Sequence, residues 1–123
     1  MVHKLRAFYL IAYQLGKKLP KQERFGLWAR VELTTIEVLT LLIEAGLSPK
    51  INKLPILEKT RIKIEIIKQL IRLGNEAKII EDKKYLELET RLQEISKMLA
   101  GWIKDTQTQK EPVKTNSLWR ETS

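Results

Sequence analysis

The 123-residue chain has no cysteine, one histidine (His3) and two aspartates (Asp82 and Asp105). Without thiols it forms no disulfide and no thiolate metal site, and a reducing compartment is permitted. A di-iron bundle needs Glu-x-x-His pairs facing its core, and His3 belongs to none. Nor does an arginine precede His3 as in an Arg-x-x-x-x-His ribonuclease element. No glycine-rich phosphate loop or Walker pattern occurs. Glu37 with Glu44 and Glu58 with Glu65 come nearest to paired acids, and both read as solvated edges beside Arg30 and Arg61. We therefore expect no enzyme, no metal and no cofactor.

Glycine and proline are also scarce, at five and four residues, and fall mostly where a helix would end. No apolar run approaches a membrane span. Met1 to Ala12 carries Lys4 and Arg6 but lacks the apolar core and cleavage site of a secretion signal, so the expected compartment is the cytoplasm, with no membrane partner. The chain is 43% hydrophobic and 31% charged, ordinary for one folded domain. Its net charge of +8 favours acidic partners, nucleic acid first.

The apolar spacing predicts four helices. Leu5, Phe8, Ala12, Leu15 and Leu19 step by three and four, one helix face packing into a seam. Pro20 interrupts this helix and suits the first turn of a second. The second runs to about Ala45 along Leu27, Val31, Thr34, Val38, Leu41 and Ala45, widened by Trp28, Thr35, Ile36, Leu39, Leu42 and Ile43. Gly46 is read as its left-handed stop, with Pro49 just beyond. The third begins near Asn52 or Pro55 and ends around Gly74 to Lys78. The fourth carries the cleanest heptad, Tyr85, Leu88, Leu92, Ile95, Leu99 and Trp102. After Asp105 the pattern collapses, so residues 1–105 are read as the bundle and 106–123 as a disordered polar tail. Trp119 in that tail is read as an incidental aromatic, with docking on a partner as the alternative. Short connections make the fold all-α, an antiparallel up-down-up-down four-helix bundle.

The third helix has more apolar surface than one small bundle can bury. At about 100° per residue, Leu57, Ile64, Ile67 and Ile71 form one stripe, while Ile62, Ile66, Leu70 and Leu73 form another facing away. The second stripe needs a partner. A homo-oligomer is expected, with Ile62, Ile66, Leu70, Leu73, Trp28 and Leu39 at its interface. Between the stripes run Arg61, Lys68 and Arg72, beside Glu58 and Glu65 and near Lys50, Lys53, Lys59 and Lys63. A second basic cluster, Lys17, Lys18, Lys21 and Arg24, surrounds the first turn. Both suit phosphate backbones, with strong salt dependence and little sequence preference. The aromatics Phe8, Tyr9, Tyr13, Phe25 and Trp28 sit among apolar positions and are read as core, not as base-stacking surfaces.

Several segments resemble the Avd family, the accessory variability determinants of diversity-generating retroelements, within a wider four-helix group that includes proteins of 23S rRNA intervening sequences. They are Leu19-Pro20-Lys21 with Arg24-Phe25, Ser48-Pro49-Lys50 before Lys53-Leu54, Leu70-Ile71-Arg72-Leu73, and Met98-Leu99-Ala100-Gly101-Trp102-Ile103-Lys104. Together they span about residues 4–105. The resemblance implies a homopentameric barrel that binds the reverse transcriptase and template RNA, or an RNA/DNA backbone, during mutagenic cDNA synthesis. Lys68 and Arg72 match a basic pair of the family and take a partner-binding role by that match. Glu44-Ala45-Gly46 departs from the Glu-Gly pair that ends this helix elsewhere in the wider group. The alternative is a structural, protein-interaction bundle of the rRNA intervening-sequence type with no nucleic-acid role.

Overall fold

The computed structural model describes residues 1–115, with side chains through 108. It contains α1 (Val2–Gly16), a single turn α2 (Lys21–Arg24), α3 (Leu27–Leu47), α4 (Lys50–Glu76) and α5 (Asp82–Thr115), with no strand among the described residues. The four long helices form a four-helix bundle in which α3 lies between α1 and α4, and α5 packs on both α4 and α1. Contacts fix the directions. Lys4 near the start of α1 pairs with Glu94 far along α5, whereas Lys18 and Lys84 share a groove. Glu37 meets Lys63 across α3 and α4, and Asn75 reaches Asp82. Neighbours are therefore antiparallel throughout. No described helix is long and apolar enough to cross a membrane.

The core follows the helical stripes. Leu5, Phe8 and Ala12 of α1, Trp28, Val31, Val38 and Leu42 of α3, Leu57, Ile64, Ile67 and Ile71 of α4, and Leu88, Leu92, Ile95 and Leu99 of α5 are all buried. Each large member contributes about 1.5–3 kcal/mol by leaving water. At one end of the bundle Trp28 Nε1 donates to the Ala12 carbonyl at 2.8 Å. The indole lies against α1 because Gly16 has no side chain: a Cβ there would sit 2.5 Å from Trp28 Cδ1 and 2.9 Å from Glu32 Oε2.

Several boundaries differ from the sequence reading. The second helix does not run unbroken from Pro20. It divides into α2 and α3 at Gly26 (φ −101°, ψ −110°), where a Cβ would lie 2.7 Å from the Gln22 carbonyl oxygen. Gly46 is not a left-handed stop, since it lies inside α3 and no described glycine has positive φ. The break comes instead from Pro49, which forces Ser48 into extended backbone (φ −91°, ψ 153°). Ser48 Oγ then donates to the freed Glu44 carbonyl at 2.7 Å. Helix α4 starts at Lys50, earlier than expected, and carries Pro55 within it on an exposed flank. Helix α5 passes Asp105, the expected limit of the bundle, and runs to Thr115; Thr106 is buried and bonds back to the Trp102 carbonyl. Trp119 lies outside the described residues.

The left-handed stop in this fold belongs to Lys78 (φ 62°). Ile79 N–H reaches the Gly74 carbonyl at 2.8 Å and Lys78 N–H the Asn75 carbonyl at 3.0 Å, the paired bonds of a Schellman end, where glycine is the usual occupant.

Two stability measurements check these readings. Gly16→Ala should destabilise by about 1–3 kcal/mol in urea unfolding, because overpacking against the buried indole outweighs alanine's better helix propensity; an unchanged midpoint would show that Trp28 is free to shift. Lys78→Gly should be about 1 kcal/mol more stable than Lys78→Ala, a comparison that removes the same charge and isolates the backbone cost of a Cβ at positive φ. Equal midpoints would mean that the turn relaxes without strain.

Candidate functional site

Arg61, Lys68 and Arg72 lie along one side of α4, because separations of seven and eleven residues return to nearly the same heading. That side turns toward α5, and its charges are already engaged. Arg61 pairs with Glu58 at 2.9 Å and Lys68 with Glu65 at 3.1 Å. A hydrogen bond to Tyr85 raises the Arg72 guanidinium above its ordinary pKa, with Glu89 and Glu76 adding to it. The same Tyr85 hydrogen-bonds Glu89 and lowers its pKa, helped by Gln93, Arg72 and Lys68. The Lys68 side chain is only 15% exposed. This edge braces α4 against α5 as well as presenting charge.

The connector lysines divide. Lys50 is exposed. Lys53 Nζ donates to the Ala45 carbonyl at 2.6 Å and sits 5.9 Å from the centre of the Trp102 ring, adding a short bond to a carbonyl at the end of α3 that otherwise accepts only the Ser48 N–H at 3.4 Å. Lys59 is exposed, and Lys63 crosses to Glu37 of α3 at 3.0 Å.

The turn cluster has another character. Lys17, Lys18 and Lys21 are exposed and Arg24 is half-buried. Among the described residues none of the four has a carboxylate within 4.0 Å. Lys17 lies over the Tyr13 ring and Arg24 over the Phe25 ring, at 5.7 and 5.5 Å. Lys83 and Lys84, absent from the sequence reading, join this end of the bundle. Lys84 lines a groove with Lys18, Gln14, Leu10 and Leu15, and stands 3.7 Å from Glu87. The antiparallel topology was the signal that could have found them, since it sets the start of α5 beside the end of α1.

The apolar residues assigned to an oligomer interface are distributed unevenly. Ile62, Ile66 and Leu73 are 54%, 37% and 51% exposed, while Leu70 and Leu39 are half-buried. Trp28 must be removed from that set: it is fully buried and hydrogen-bonded inside its own bundle, leaving nothing for a second copy to touch. In its place α3 exposes Leu33, Ile36, Ile43 and Leu47. With Thr40 these step by three and four along the side opposite the α3 core seam, a spacing that was there to be read. Ile36 and Leu39 also line an open groove against Leu5, Tyr9 and Leu10 of α1.

The class of the molecule follows: an all-helical, four-helix-bundle protein with its own closed core, apolar strips left outside α3 and α4, and cations collected at one end. The bAvd-like family profile matches residues 1–106, almost the whole bundle, and the chain belongs to that family. Comparison with curated proteins finds no match.

Lys68→Glu should lower stability by about 1–3 kcal/mol, since it would set a further carboxylate between Glu65 and Glu89 on a largely covered edge. Arg61→Glu, on a half-open side chain, should cost less. Equal and small losses in thermal melts of the two variants would show that the Lys68 brace contributes nothing.

Proposed function

We propose that the chain is a non-catalytic accessory protein of a diversity-generating retroelement. It assembles with copies of itself, as a pentamer by the family resemblance, and binds the reverse transcriptase and template RNA in the cytoplasm to support mutagenic cDNA synthesis. The supporting observation is a bundle whose core is complete but which still exposes apolar strips on α3 and α4. Apolar strips left outside a finished core are the kind of surface that contacts another chain. The cations at the bundle end lie away from the middle of these strips, so subunits meeting through the strips would each display a positive tip. Repeating the tip around a ring raises the local potential and draws in a polyanion.

One observation favours the second reading, a protein-interaction bundle with no nucleic-acid role. Arg61, Lys63 and Lys68 are each held by a glutamate, so the α4 surface is partly neutralised before any partner arrives.

Sedimentation velocity at micromolar concentration and filter binding of template-like RNA across a salt series separate the two. The retroelement reading expects an oligomer and a log–log salt slope of about −3 or steeper, as for four or more phosphate contacts at roughly 0.7 each. A flat titration with an intact oligomer supports the protein-interaction bundle instead. A single-chain species removes the assembly on which the retroelement reading rests.

A further inference from the structure

Five aromatic residues in the first 28 positions look alike in sequence and separate in the fold. Phe8 and Trp28 are completely buried and Tyr9 is half-buried, whereas Tyr13 is 38% and Phe25 70% exposed. The reading of all five as core therefore fails at Tyr13 and Phe25. Phe25 is held open by a rigid support. It closes α2, with its N–H bonded to the Lys21 carbonyl at 3.0 Å and the Arg24 N–H to Pro20 at 2.9 Å. Gly26 follows in a backbone position where a Cβ would collide with the Gln22 carbonyl.

The charges around these rings are the second observation. The Arg24 guanidinium lies 5.5 Å from the Phe25 centroid, and Lys17 Nζ lies 5.7 Å from that of Tyr13. Tyr13 is itself stacked on Tyr9, at 6.1 Å and 17°. Lys17, Lys18, Lys21 and Arg24 make no ion pair among the described residues, and Glu23, the one carboxylate of α2, makes none either. Unpaired cations bind phosphates without first breaking an internal pair, unlike Arg61 and Lys68. An open ring among them offers what a duplex cannot use, because paired bases keep their faces stacked on each other. Single strands present both a backbone and free base faces.

We propose that this end of the bundle binds single-stranded RNA, with one base stacked on Phe25 and the backbone held by Lys17, Lys18, Lys21 and Arg24. The choice of RNA over DNA rests on the retroelement reading above; the preference for a single strand rests on the exposed ring. A protein partner would have to be strongly acidic to meet four unpaired cations, and a purely apolar partner would leave them uncompensated.

Fluorescence anisotropy on the full chain, with a labelled single-stranded RNA of about 12 nucleotides and a duplex of the same sequence, tests the proposal. Phe25→Ala should weaken single-strand binding by about 5- to 100-fold while leaving duplex binding and the thermal melt unchanged, since the side chain is mostly in solvent. Phe25→Trp should restore the affinity. The double variant Lys18→Glu, Lys21→Glu should weaken binding of both RNAs and flatten the salt dependence. Wild-type affinity of Phe25→Ala for the single strand, or equal wild-type affinity for strand and duplex, overturns the stacking site and leaves the retroelement reading standing. Binding of neither RNA at low salt removes both.

Discussion

The contact between Trp28 and the end of α1 is the constraint on which most of this bundle depends. The indole N–H is spent on the Ala12 carbonyl, and the ring occupies the space that Gly16 leaves open. On the other side, a Cβ at Gly74 would lie 3.7 Å from Trp28 Cζ3 and 3.6 Å from Leu27, so α4 also approaches closely there. One side chain thus ties three helices together through two glycines. A buried indole must find a partner for its N–H, and a main-chain carbonyl near the end of α1 supplies it in a fixed direction. The register of α3 against α1 is set by that bond, and with it the position of α2 and its exposed ring.

A second principle orders the surface. Positive charge is abundant on this chain, but its availability differs from place to place. On α4 the intervals that align Arg61 and Lys68 also set Glu58 and Glu65 three residues ahead, and the pairs form within the helix. Exposed pairs of this kind add little to stability, yet a phosphate would have to break or share them in order to bind there. At the bundle end the cations come from the α1–α3 connection, where Glu32 of α3 acts on Arg24 but no carboxylate closes an ion pair among the described residues. The sequence shows two basic clusters; in the fold Arg61, Lys63 and Lys68 of one are paired with glutamates, whereas Lys17, Lys18, Lys21 and Arg24 have no carboxylate within 4.0 Å among the described residues.

How much of this could be read beforehand follows from the range of each signal. The core seams were legible because a stripe repeats over many turns: Leu57, Ile64, Ile67 and Ile71, and Leu88, Leu92, Ile95 and Leu99, are buried as their spacing required. Ends and breaks were not, since each depends on one local contact. Gly46 had the composition of a stop but continues the helix, because Pro49 ends it through Ser48. Lys78 has the wrong composition for a left-handed turn and adopts it nonetheless, so that Ile80 is delivered into the core. Trp28 looked like surplus apolar surface because spacing cannot report a hydrogen bond to a residue sixteen positions earlier. Lys84 escaped notice because its proximity to Lys18 exists only after the bundle closes.

The outer strips of α3 and α4 are joined by a connection of two residues, Ser48 and Pro49. Leu47 and Ile51, on either side of that joint, are 84% and 72% exposed, the most open aliphatic residues described. A joint of two residues permits little independent movement of the helices it links, so the strips keep a fixed relation to each other. The unpaired cations near the α1–α3 turn lie at the opposite end of α3 from Leu47. The α4 strip runs on to Leu73, next to the Gly74 that approaches Leu27 and Trp28, so the apolar surface spans the bundle and only its Leu47–Ile51 end stands a full helix length from the cations.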